Sequence, residues 1–260
     1  TGKKKIVVAG IFAALAMVGT MQYAQAVDGP GRREGWPSGV AENGYAKYIG
    51  TAFDPKKGLV VGPNMGNNDT TRANGNVATV AIGAHSNATG SSSVAIGGGT
   101  SNGDGAVALG WVSATGKRAV ALGGTDTTSA TGENAFAGSG GVVSGSNSLA
   151  ISGSTATGNN ALAAVGGTAN GNGSIAIGWQ TNAKNDATAV GSNAQATDKD
   201  SVAVGKNSNA AGESATAVGS SATASGRGGV AIGWNSESAV NAVGIGFNAK
   251  AKANNTVAIG

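Results

Sequence analysis

The chain has 260 residues, of which 47 are glycine, 4% aromatic, 12% charged and none cysteine, so a disulfide framework and thiolate chemistry are excluded. Its formal charge is +4 with 17 basic and 13 acidic residues, but Lys3, Lys4 and Lys5 form a leader; without them 17 − 3 = 14 bases face 13 acids. That near-neutral balance carries no electrostatic footprint for nucleic acid.

Lys3 to Lys5 are followed by 13 apolar residues, Ile6 to Val18, and then by Ala24-Gln25-Ala26. A basic start, a short apolar run and a small-x-small tripeptide predict a signal peptide over residues 1–26. The run is too short to cross a hydrocarbon core, which takes roughly 20 residues. The mature chain is expected to start near Val27, outside the cytoplasm. Residues 27–72 hold all four prolines and do not repeat; they predict an irregular N-terminal segment that caps the remainder of the chain.

From Val80 onward a phrase recurs: aliphatic, alanine, aliphatic, glycine. Clear copies are Val94-Ala95-Ile96-Gly97, Val107-Ala108-Leu109-Gly110, Ile175-Ala176-Ile177-Gly178, Val202-Ala203-Val204-Gly205 and Val230-Ala231-Ile232-Gly233. Degenerate copies read as Ala135-Phe136-Ala137-Gly138 and Ala163-Ala164-Val165-Gly166. Fourteen copies occur at intervals of 12 to 15 residues, mostly 13 or 14. Alternation puts the two aliphatic side chains on one face of a short strand and alanine on the other. The β-branched residues favour strand over helix, and the glycine marks the turn. A second break, as at Gly90, Gly116 and Gly158, closes a weaker polar strand such as Ser86-Asn87-Ala88-Thr89.

Each period therefore supplies two strands and two turns, one coil of a narrow, two-sided parallel β-roll. The fold class is all-β, a solenoid of about fourteen coils. At the usual strand separation its rod is on the order of 65 Å long. Residues 73–260 form this roll. Val94, Ile96, Val202, Val204, Val230 and Ile232 are expected to point into it as the structural core. Alanine fills the middle of twelve of fourteen copies, Phe136 and Gly244 being the exceptions. A strand apolar on both faces is normally covered on both. Ala95, Ala108, Ala176, Ala203 and Ala231 are therefore expected to face a neighbouring chain.

The pentapeptides Ser93 to Gly97, Ser174 to Gly178 and Ser201 to Gly205 resemble the head repeats of the trimeric autotransporter adhesins, the YadA-like family. The resemblance covers about residues 73–260. It implies a left-handed roll, a homotrimer, and attachment to host extracellular matrix, host cells or other bacteria. It also implies bacterial surface display through a C-terminal outer-membrane barrel. No heptad stalk or barrel pattern occurs in this sequence, and the repeat runs to Gly260, so a longer chain is expected. The family's collagen-associated motif adds asparagine before the pentapeptide and serine after it. Here Asp200 precedes Ser201 and Lys206 follows Gly205, and no copy has all seven residues.

Catalysis has little to draw on. His85 is the single histidine, so no triad or histidine metal site can be assembled within one chain. Asp104, Glu133, Asp186 and Asp198 are scattered through turns, and no acidic residue recurs as calcium repeats require. No enzyme activity, cofactor or metal is expected. Trp111, Trp179 and Trp234 each follow a terminal glycine, at a corner where a narrow roll has no use for bulk; they are candidate ligand contacts. The competing functions are a non-adhesive structural spacer and another secreted β-solenoid, such as an ice-binding protein. The position three residues after the glycine reads Ser86, Thr100, Ser113, Asp126, which is not the threonine rank an ice-binding face needs.

Overall fold

A computed structural model describes residues 49–54, 58–63, 71–73, 78–124 and 127–260. The expected signal peptide and most of the N-terminal segment lie outside the described residues. Among the described residues there are strands and turns and no helix. Fourteen first strands, Thr79–Ile82 through Val257–Ile259, stack in parallel into one sheet; fourteen two-residue second strands, Arg72–Ala73 through Lys250–Ala251, stack into the other. The expected solenoid is what the chain forms.

The first sheet is extended at its N-terminal edge by two strands that the sequence did not signal. β1 (Ile49–Asp54) pairs antiparallel with β2 (Gly58–Pro63), and β2 pairs in parallel with Thr79–Ile82. The edge of the roll is thus closed by a hairpin, where an irregular segment was expected.

Every coil carries a constant frame of seven residues: a buried residue and the three-residue first strand, then a buried residue and the two-residue second strand. In one coil these are Ser93, Val94-Ala95-Ile96, Gly99 and Thr100-Ser101. All variation in period is absorbed in the corners. The first corner, after the aliphatic strand, has two residues at 97–98 or 110–111 and three at 178–180 or 205–207; once, at 123–127, it has five. Neighbouring coils bond throughout: Val94 N–H donates to Ala106 O at 2.9 Å and Thr100 N–H to Val112 O at 2.8 Å. Even the corners bond, as where Asn207 N–H reaches Ser192 O at 2.9 Å. Stacking satisfies most of the backbone, and bonds within each corner, such as Ala106 N–H to Gly103 O at 3.0 Å, add the rest.

The inward and outward assignment is the reverse of the expectation. Ala95, Ala108, Ala176, Ala203 and Ala231 are fully buried inside their own roll, so they are no trimer interface. Val94, Ile96, Val202, Val204, Val230 and Ile232 stand on the outer face, Ile232 at 38% exposure. The cause is the short corner. A two-residue corner and the buried residue after it leave four Cα–Cα steps between the strands, as from Ile96 to Thr100, and because that segment turns back on itself the sheets lie much closer than its straight reach of about 14 Å. The buried residues are small throughout, which marks a gap narrower than the roughly 10 Å that ordinary side chains need. Only alanine, serine, threonine, glycine and an occasional valine fit between. The second strands share this constraint: Ala88, Ala114, Ala130, Ala156, Ala169 and Ala183 are also fully buried. That second alanine rank, within a polar strand, was the sequence signal for the interior.

The register of the degenerate copies shifts with it. Phe136 aligns with Val120, Ala137 with Ala121 and Gly138 with Leu122; Leu162, Ala163 and Ala164 align with Leu149, Ala150 and Ile151. Phe136 is thus an outer residue, and the true middle position is alanine in thirteen of fourteen coils, with Gly244 the exception. Middle positions are 13 or 14 residues apart except for the 16 between Ala121 and Ala137, where the five-residue corner lies.

Buried hydroxyls fasten the corners from within. Ser93 Oγ donates to Gly90 O and Ser174 Oγ to Gly171 O, both at 2.6 Å; Thr181 Oγ1 donates to Gly178 O at 2.9 Å. At the second corner the coils approach so closely that a Cβ on Gly90 or Gly103 would overlap the next coil's glycine carbonyl. The rank from Gly90 to Gly158 admits nothing larger.

Two outcomes test this arrangement. Ala203→Val overpacks the interior and should cost about 1–3 kcal/mol, seen as a lower urea midpoint, whereas Val202→Ala on the outer face should leave the isolated roll within about 0.5 kcal/mol. Val165 opens a two-residue corner with φ of 56°, a region costly for a β-branched side chain. Val165→Asn should stabilise the chain by about 1 kcal/mol, measured by the same unfolding curve.

Candidate functional site

The roll offers two unlike faces and two unlike edges. The outer face of the first sheet is a double rank of aliphatic residues, with Val80, Val94, Val107 and Val120 in one column and Ile82, Ile96, Leu109 and Leu122 in the other. It continues to Val257 and Ile259. The outer face of the second sheet is polar but for Val142, reading Thr100, Ser113, Ser129, Val142, Thr155, Thr168, Asn182 and Gln195. This column is mixed, as the sequence indicated, and shows no threonine rank.

The second corner collects charge. Arg118 pairs with Glu133 at 2.6 Å, and asparagines stack from coil to coil, Asn134 Nδ2 donating to Asn147 Oδ1 at 2.9 Å. The first corner collects the aromatics. Trp111, Trp179 and Trp234 all occupy its second residue, 50%, 64% and 50% exposed. They share one edge of the rod but not one spot. Trp111 and Trp179 are five coils apart and Trp179 and Trp234 four, about 24 and 19 Å at the usual strand separation.

The Trp111 and Trp179 rings lie back along the rod over the preceding coil. Trp111 covers Gly98, where an added Cβ would stand 2.8 Å from the indole, and reaches His85 with ring centroids 5.6 Å apart. Trp179 covers Gly166, with the corresponding distance 2.9 Å. Phe247, at the same corner position one coil beyond Trp234, stacks on it at 4.9 Å and 16° and is 66% exposed. The sequence reading missed Phe247, although it too follows a terminal glycine.

Beside the aromatics runs a polar column, the third corner residue. Gln180, Asn193, Asn207, Ser221, Asn235 and Asn248 hold φ between 54° and 58°, a conformation asparagine tolerates well. Asn193 Nδ2 donates to Asn207 Oδ1 at 3.1 Å and Asn235 Nδ2 to Asn248 Oδ1 at 2.7 Å. On the polar sheet nearby, Glu237 accepts from Lys250 at 2.5 Å and from Lys252 at 3.3 Å. The hydrogen bond from Lys250 lowers the Glu237 carboxyl below its ordinary value; desolvation opposes this and Lys252 adds to it. Among the described residues no cluster of acidic and histidine side chains could hold a metal ion.

Five segments match the family model described as YadA head domain repeat (2 copies): residues 77–100, 168–181, 183–208, 210–236 and 238–260. The matched coils are YadA head repeats. No curated protein matches the chain. YadA-like heads are in general trimeric adhesins displayed at the cell surface. The matched segments track the corners: those from 168 onward hold the three-residue first corners, while unmatched 101–167 holds the five-residue corner and most of the two-residue ones. Residues 101–167 nevertheless keep the YadA-like frame and stacking without interruption.

The Glu237 pair sets a pH dependence. A carboxyl lowered by folding adds stability above its unfolded value and loses it as pH falls through the lowered one. Acid titration followed by thermal melting should show a decline in the acidic range that is smaller in Glu237→Gln.

Proposed function

We propose that this roll is the head of a trimeric surface adhesin, three copies packed through their aliphatic sheets, binding host extracellular matrix or cell surfaces. The observation that carries this is the outer face of the first sheet. A double rank running fourteen coils and apolar except at Thr188 and Thr216, with an alanine interior already closed behind it, is more than a monomer leaves in water. Its side chains also compensate one another. Where Phe136 enters one column, Gly138 stands in the other, close enough that an added Cβ would meet the Phe136 ring at 3.4 Å. Leu162 is likewise followed by Ala164. Matched volume along a face serves packing against a partner.

This reading moves the trimer interface from the alanines to the valine and isoleucine columns. Secretion through the N-terminal leader and anchorage through a C-terminal outer-membrane barrel complete the proposal. Affinity then comes from many rungs on three chains acting together.

The full chain should scatter light as a trimer. Val204→Asp with Ile232→Asp should yield monomers that keep their β circular dichroism, since both carboxylates remain in water on an isolated roll. A well-folded wild-type monomer at micromolar concentration would refute the assembly. Deleting Ala187 to Asp200 removes one complete coil and should weaken adhesion to immobilised matrix proteins or cells by degrees. A trimer that adheres to neither would be a spacer.

A further inference from the structure

The aromatic edge from Trp179 to Phe247 has no part in folding or in the aliphatic face. Its corner position tolerates Ala84, Gly98, Ser192, Lys206 and Ser220, so the roll does not need rings there. Yet the rings are held. Trp179 rests on Gly166, and Phe247 rests on Trp234, so each has one face against the protein while a large part of the ring stays in solvent.

We propose that this edge binds an extended, neutral glycan whose sugar rings stack on Trp179 and on Phe247, which Trp234 seats from below. The inference rests on the adhesive reading above and gives it a ligand class. Three observations favour sugar over a protein partner. First, the aromatics sit at the two ends of the row, about 19 Å apart at the usual coil rise, whereas protein hot spots cluster near the centre of an interface in desolvated pockets. Second, the positions between them, Ser192, Lys206 and Ser220, are hydroxyls and one amine. The adjoining amides of Asn193 and Asn207 spend only part of their capacity on each other, keeping donors and acceptors for vicinal hydroxyls. Third, one coil advances about 4.8 Å, close to the length of one pyranose in a linear chain, so sugars and coils can keep step along the edge. The row from Trp179 to Phe247 carries a single charged side chain, Lys206, which argues for a neutral glycan over a polyanion.

The pyranose ring supplies the rest of the match. Its axial C–H groups make an apolar face that lies flat on an indole or phenyl ring, while its equatorial hydroxyls project sideways toward the asparagine column. No bond is made or broken.

The test titrates the full chain with cellohexaose and with chitohexaose, following tryptophan fluorescence and heat. Saturable binding to either is expected, weakened at least tenfold in Trp179→Ala and in Trp234→Ala and unchanged in Trp111→Ala, which stands five coils before the row from Trp179 to Phe247. Circular dichroism checks that each variant keeps its roll. Failure to bind both hexasaccharides overturns the inference, as does binding that both alanine variants retain. Adhesion to cells or matrix that persists without glycan binding would leave the adhesive reading standing and remove only its ligand class.

Discussion

Two or three residues join the sheets at the first corner in all but one coil, and that shortness governs the rest of the molecule. It brings the sheets together until only small side chains fit between them. A rank of alanine gives little hydrophobic stabilisation per coil, so the roll depends on stacking, each rung bonded to the rungs before and after. The same closeness requires glycine at the second corner from Gly90 to Gly158 and turns buried serine and threonine hydroxyls onto corner carbonyls. A wider corner would admit a full rank of larger side chains, and the strands would then be free to turn over.

With the interior filled by alanine, the larger aliphatic residues have nowhere to go but out. The outer face of the first sheet thus becomes a continuous apolar surface while the second sheet stays polar. This asymmetry suits a rod that buries one face against its own copies and leaves the opposite face and both edges for contact. The corners are also where the chain varies, because length and side-chain changes there leave the seven-residue frame untouched. Aromatics, asparagine ladders and ion pairs accumulate at those edges, so evolution of binding would cost the roll little.

Some of the candidate site was plain from local spacing. Trp111, Trp179 and Trp234 follow terminal glycines, which is enough to place them at one corner. Phe247 and the asparagines beside it obey the same spacing and could have been found by extending the count. The flat seating of the rings was not legible, because it depends on what stands one coil earlier: a glycine under Trp111 and Trp179, and another ring under Phe247.

The sequence by itself determined the period, the two strands and two turns of each coil and the all-β class. Those are properties of residues near one another in the chain. Which face of the first strand lies inside was decided only by the tertiary structure. Alternation states that Val94 and Ala95 point opposite ways but is symmetric as to which way is in. The gap between sheets breaks that symmetry, and the gap is a property of corner length acting on two strands at once. The register at Phe136 and Leu162 was settled the same way, since a phenyl ring cannot enter a space cut for a methyl group.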